Sequence, residues 1–142
     1  MSPVIVRVSR RFDAAPERVF DAWLDPATAG RWLFATADGQ MQRVQIEPRV
    51  GGRYVIVERR PNGDAEHFGR YLEIDRPHRL VFTLATEEDA DQGNRITVEI
   101  VADGDGSLLT LTHEMAPEHA EYAKPAESGW TMVLAALDRH LA

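Results

Sequence analysis

From about Met41 to Met115 the sequence reads as strand after strand, joined by connections too short for parallel crossovers. Alternating apolar residues mark strands over 42–47, 53–60, 67–74, 79–85, 94–102 and 107–115, because a period of two puts every second side chain on one face. Val44 with Ile46, Leu80 with Phe82 and Leu84, Ile96 with Val98 and Ile100, and Leu109 with Leu111 and His113 share inward faces in this reading. Thr97, Glu99, Thr110 and Thr112 face outward. A parallel pair needs a crossover of about a dozen residues. The gaps here hold turn signals instead: Pro48 with Gly51-Gly52, Pro61-Asn62-Gly63-Asp64, Asp75-Arg76-Pro77-His78 and Asp103-Gly104-Asp105-Gly106. Asn62-Gly63 supplies the positive-φ residues of a tight hairpin. The chain is predicted to form an antiparallel meander, with the acidic stretch 86–93 as a solvated loop.

Helical patterns flank the meander. Val4–Phe12 is a half-buried strand, with Val4, Val6, Val8 and Phe12 on one side. Pro16 then suits the first turn of a helix, followed by Glu17 where the dipole favours an acid. Val19, Phe20 and Trp23 form its apolar face. Asp25-Pro26 repeats the pattern of cap and first residue, predicting a second short helix over 26–33 with Trp32 and Leu33. Near the end, Trp130, Val133, Leu134, Leu137 and Leu141 fall on one helical stripe. That helix is predicted to start between 118 and 126, with a kink or two pieces near Pro125. Its stripe is too short to cross a bilayer and needs the sheet to lie on.

Length and charge narrow the function. A chain of 142 residues reads as one domain, 1–142, able to bury roughly 68–70% of its unfolded surface without staples. There are no cysteines, so disulfides and thiol catalysis are excluded. The net charge of −7 argues against nucleic acid. With no signal peptide and no membrane span visible, a cytoplasmic protein is expected.

Several motifs then carry a family resemblance. They are Ala15-Pro16-Glu17-Arg18-Val19-Phe20-Asp21-Ala22-Trp23, Asp25-Pro26 with Trp32, Gly51-Gly52-Arg53-Tyr54, and Gly69-Arg70-Tyr71-Leu72-Glu73-Ile74. Pro77-His78-Arg79-Leu80-Val81-Phe82-Thr83, Leu109-Thr110-Leu111-Thr112-His113 and Gly129-Trp130 complete the set. In this order they resemble the START-like (SRPBCC) superfamily, in the branch of homologues of the heat-shock protein 90 ATPase activator. The resemblance implies an α+β helix-grip fold: a curved antiparallel sheet of six to seven strands wrapped around a long C-terminal helix, with two short helices after the first strand. It also implies a cavity between sheet and helix. Relatives in the superfamily bind apolar small molecules, and some are cyclases or aromatases.

The expected ligand contacts are Trp32, Phe82, Leu84, Val98, Leu109, Leu111, Trp130, Val133, Leu134 and Leu137, with His113 and Arg70 as polar members. Apolar periodicity does not distinguish a lined cavity from a filled one. His113 shares the face of Leu109 and Leu111, placed to orient a ligand or to act as a general acid or base. Arg70 shares by alternation the face of Phe68, Leu72 and Ile74, and a cross-strand pair with Glu58 is expected as one alternative to a surface ion pair. Tyr54, Tyr71 and Tyr122 are further hydroxyl donors. His113-Glu114 with His119 has the wrong spacing for a zincin site and is interrupted by Pro117. No nucleophile elbow or phosphate loop exists, so no catalytic residue, metal or cofactor is expected. The favoured reading is a binding protein for a small apolar or amphipathic molecule. A cyclase-like enzyme and a chaperone-interacting module stay open, as does a homodimer.

Overall fold

The computed structural model describes residues 2–86 and 93–142. The acidic residues of the expected loop, 87–91, lie outside the described residues. Strands β1 (Val4–Phe12), β2 (Gln40–Ile46), β3 (Arg53–Arg60), β4 (Gly63–Asp75), β5 (Arg79–Leu84), β6 (Asn94–Asp103) and β7 (Gly106–Met115) form one antiparallel sheet. Its spatial order is β1-β7-β6-β5-β4-β3-β2. The predicted meander runs from β2 to β7. β1 completes the sheet along β7, from Val4 opposite Met115 to Phe12 opposite Ser107. Helices α1 (Pro16–Ala22) and α2 (Ala123–Leu141) bury their apolar faces in the same core as the concave side of the sheet.

β4 has 13 residues and serves two partners. Its first part pairs with β3, ending with Arg70 opposite Arg53, and its last part pairs with β5, beginning with Tyr71 opposite Phe82. The register with β5 slips between Tyr71 and Glu73. A bulge of this kind bends a strand and increases its twist. Beside it, Gly69 lets the Tyr54 ring lie on bare backbone. A β-carbon there would sit 2.2 Å from that ring and 2.0 Å from the Thr83 carbonyl oxygen. The Tyr54 hydroxyl donates to the same carbonyl at 2.7 Å, so one side chain ties β3 to β5 across β4.

The bulge also corrects the expected placement of Arg70. Ile74 pairs with Leu80 in the core, which made Phe68, Arg70 and Leu72 look inward by alternation. The extra residue shifts parity. Tyr71 is the buried inner residue, Leu72 is exposed, and Arg70 lies on the outer face opposite Arg53. The Arg70–Glu58 pair, one of the two alternatives, does not form, because Glu58 faces inward opposite Ala65.

Three other elements differ locally from expectation. The second helix shrinks to a single 3-10 turn, Ala29–Arg31. Asp25 does cap, accepting from the Ala27 N–H and the Thr28 hydroxyl at 2.9 Å each. Gly30, whose added β-carbon would meet Val44 at 2.7 Å, weakens helix propagation, and Phe34 turns the chain away at φ 58°. In the β3–β4 hairpin Arg60 pairs with Gly63, so Pro61 and Asn62 form the tip and only Gly63 takes a positive φ, 123°. Finally, a 3-10 segment, Pro117–Tyr122, runs into α2, with the break at His119 rather than Pro125. Pro125 falls in the first turn of α2, where its missing N–H has no intrahelical partner to lose.

α2 buries Trp130, Leu134, Leu137 and Leu141. Arg10 bonds Asp138 at 3.0 Å, and Arg18 donates to the Leu141 carbonyl at 2.6 Å, tying the helix to β1 and α1. No helix of the described residues is long and apolar enough to cross a membrane.

Two glycines separate packing from propensity. Gly69→Ala is expected to lower stability by about 2 kcal/mol, since overpacking a filled site costs about 1–3 kcal/mol. Gly129→Ala, in the middle of α2 with nothing within 4 Å of the new methyl, is expected to gain about 0.5–1 kcal/mol from helix propensity. Urea unfolding midpoints of the two variants check both signs.

Candidate functional site

Most of the space between sheet and helix is filled. Trp32, Phe82, Val98, Leu109, Leu111, Leu134 and Leu137 are all buried in one cluster. A gap of only about 10 Å³ lies among Trp23, Leu33, Phe34, Tyr54, Tyr71 and Phe82. Those seven expected contacts pack against one another, as aliphatic and aromatic side chains do at crystal-like density.

Open volume appears instead at one end of the interface, in a hollow of about 380 Å³. It brings together four of the expected residues: Leu84 from β5, His113 from β7, and Trp130 and Val133 from α2. Phe34, Thr36, Arg60 and His67 complete the polar and aromatic part of its wall, and Gly129 leaves the helix side bare.

His113 and Trp130 are the paired centre of this hollow. The Trp130 Nε1–H donates to His113 Nδ1 at 2.9 Å. Nδ1 is therefore the ring's acceptor, and in the neutral ring Nε2 carries the proton. Nε2 is buried and has no hydrogen-bond partner. Burial pushes the imidazole down to about 4. At neutral pH the ring has no free lone pair and no labile proton, so it fits an orienting N–H donor and not a general acid or base. Protonation would turn Nδ1 into a donor and break the bond to Trp130.

Across the hollow, Phe34 and His67 stack with centroids 4.1 Å apart and planes 1° from parallel, and Phe34 also meets Trp130 at 5.7 Å. His67 Nδ1–H donates to the Ile56 carbonyl at 3.2 Å, leaving Nε2 as an acceptor. Burial, with Arg60 nearby, pushes this ring down to about 4 as well. His67 escaped the sequence reading because parity on its strand was anchored on Ile74, beyond the bulge. Anchored on Tyr71, it would have been inward. Phe34 gave no periodic signal, since it sits in a loop.

Glu58 holds the Phe34 loop. It is 1% exposed, and it accepts from the Thr36 N–H at 2.7 Å, the Thr36 hydroxyl at 2.8 Å and Arg60 Nε at 2.7 Å. Burial opposes its charge, but the Arg60 and Thr36 donors outweigh that penalty and hold the carboxyl below its ordinary value. Arg60 also donates to the Phe34 carbonyl at 3.2 Å.

Other arrangements have less to offer. A hollow of about 520 Å³ opens at the β2–β3 edge beside Pro26, Glu47 and Phe68, but none of its lining side chains is a buried polar group without a partner. Among the described residues no three His, Asp or Glu side chains converge as a metal site requires.

The family model described as "Activator of Hsp90 ATPase homolog 1-like protein" matches residues 13–142. The chain belongs to this family. Its fold is similar to several solved structures from other organisms. One is a protein from Rhodobacter sphaeroides, 26% identical, with a TM-score of 0.81 over 96% of this chain and 90% of that one. Another is the AHSA1-like protein from Aeromonas hydrophila, 21% identical, with a TM-score of 0.82 over 97% and 92%. A third, from Nitrosomonas europaea, is 17% identical, with a TM-score of 0.82 over 96% and 92%. A comparison with curated proteins finds no match.

The two neutral histidines predict a pH profile. The unfolded chain takes up these protons near the ordinary histidine value of 6.5, while the folded rings stay neutral to about 4. Between those values the unfolded state binds more protons, so stability falls as pH falls from about 6.5 to 4. Glu58 continues the decline at lower pH, because its contribution is lost as pH falls through its depressed folded value. Urea midpoints between pH 7 and 4 check the slope, and His113→Asn is expected to flatten it.

Proposed function

We propose that this chain binds one small apolar or amphipathic molecule in the hollow walled by Phe34, His67, His113, Gly129 and Trp130, acting as a cytoplasmic binding protein. The observation that carries the reading is the His113 Nε2–H, buried beside an apolar wall and lacking a partner. An unmade hydrogen bond of this kind costs about 1–3 kcal/mol, which an acceptor atom on a ligand would recover by displacing the side chains that cover the nitrogen. A volume of about 380 Å³ falls within the usual range of small-molecule sites, which are mostly apolar with a few placed polar groups. Burial of ligand carbon would add roughly 25 cal/mol per Å². Leu84, Val133 and Trp130 supply that surface.

The two rival readings draw less support. A cyclase-like reaction would need a strong acid or base in the hollow, whereas the His113 lone pair is taken by Trp130 and His67, with a free Nε2 lone pair, is pushed down to about 4 and is a weak base. A chaperone-binding role would need a docking face. The outer side of the sheet carries the ion pairs Arg79–Glu73, Arg79–Glu99 and Arg95–Glu114 and the Ser9–Thr110 hydroxyl contact.

Titration with dodecanol, followed by the indole N–H signals in a ¹H–¹⁵N spectrum, tests the reading. The Trp130 signal is expected to move while those of Trp23 and Trp32, in the filled core, stay. Gly129→Leu, which projects a side chain into the hollow without touching the core, is expected to weaken binding at least about tenfold, the equivalent of about 1.4 kcal/mol. If Trp130 does not respond, or if the filled variant binds equally well, the hollow is not a binding site.

A further inference from the structure

The geometry points to a ligand with an anionic head on a single apolar chain, the chain lying in the His113–Trp130 hollow and the head at Arg31, Arg139 and His140. This rests on the binding role proposed above and names the class of molecule bound.

A second hollow of about 460 Å³ adjoins the first. The two share Ala35 and Thr36 as one wall and α2 as the other. Along α2 the lining positions Gly129, Val133, Ala136 and His140 follow one another at spacings of four, three and four, which is a single stripe of the helix. From Ala126 to His140 this stripe runs about 21 Å at 1.5 Å per residue. Its first half is apolar and its far end is cationic. Arg31 comes from the 3-10 turn, Arg139 and His140 from the last turn of α2, and no acidic side chain lines the hollow.

Charge pairing elsewhere leaves fewer cations free to meet an incoming anion. The chain is acidic overall, at −7. Arg10, Arg11, Arg49, Arg59, Arg60, Arg76, Arg79 and Arg95 each meet a carboxylate. Arg31 and Arg139 meet none among the described residues, although a neighbouring acid, Asp138, is present and turned to Arg10. Cations in a last helical turn complement the helix dipole, but here Arg18 already serves the terminal carbonyl of Leu141, and Arg31 belongs to another element. Arg60 is the cation of the apolar hollow, and it is committed to Glu58. Within the two adjoining hollows, an incoming carboxylate or phosphate therefore finds its free partners at Arg31 and Arg139.

The test compares dodecanoate and monododecyl phosphate with dodecanol, which has the same chain and no charge, against the wild-type protein and the Arg31→Gln and Arg139→Gln variants. Calorimetry gives affinity, and the Trp130 indole signal reports that the chain has entered. Either anion is expected to bind several-fold tighter than dodecanol, the tighter one identifying the head, with an advantage that shrinks as salt is raised. Each variant is expected to weaken anion binding roughly twofold to fivefold, as exposed charge pairs do, and to leave dodecanol unchanged. If dodecanol binds but neither anion binds more tightly, or if both variants leave the anions unaffected, the head-group site is wrong while the hollow stands. If no probe moves Trp130, the binding role itself fails.

Discussion

The whole architecture depends on a strand that bends. β4 hydrogen-bonds to β3 over its first part and to β5 over its second, and no straight strand could hold both halves of a strongly curved sheet. The bulge after Tyr71 provides the bend, and Tyr54 fixes it by lying on Gly69 and bonding the Thr83 carbonyl. Because the sheet is concave, its inner side chains converge on α2 and exclude water around Leu134 and Leu137. Truncation of either buried leucine would forfeit contacts worth about 2–5 kcal/mol. The curvature thus comes before the hydrophobic gain, which a flat sheet of the same composition would not collect.

At the open end of the interface the governing interaction changes from packing to polar satisfaction. Glu58 is a buried charge, and such a group is stable only when its donors are in place. Thr36 and Arg60 supply them, and in doing so they fix the loop that carries Phe34 in a left-handed conformation. A non-glycine residue held there costs about 1–3 kcal/mol and persists only because its surroundings over-determine it. The aromatic wall of the hollow is consequently rigid before any ligand arrives. Opposite it, Trp130 sets the tautomer of His113. The hollow therefore has a fixed but covered donor, His113 Nε2–H, behind one side and an acceptor, His67 Nε2, on a stacked ring on the other.

Much of the fold was legible because it rests on periodicity. The strands of the meander, the inward sets on β5, β6 and β7, and the stripe of α2 all follow from alternation or from the helical repeat. Reading failed wherever one residue broke a period. The bulge in β4 sent Arg70 outward and hid His67. Asp25 and Pro26 promised a helix, yet capping satisfied only the first turn before Gly30 and Phe34 redirected the chain. The site was half legible for a related reason. His113 and Trp130 could be picked out as large or polar residues on inward faces, while Phe34 and Arg60 are set by loop geometry and by a buried ion pair, which leave no repeat in a sequence. Nor could alternation tell that the middle of the interface would be filled and its end left open, since that depends on how side-chain volumes add up in three dimensions.

Helix α2 shows a division of labour. Leu134 and Leu137 are sealed in the core, whereas Gly129 and Met132 line the hollow, Val133 packs between the two, and a β-carbon at 129 would meet nothing within 4 Å. Side-chain volume at 129 can therefore be altered without disturbing what keeps the protein folded. A glycine in mid-helix is a weak helix former, so most replacements there would strengthen α2 while narrowing the hollow. Ligand preference in this scaffold is adjustable at a single position, and the present residue is the setting that leaves the hollow at its widest.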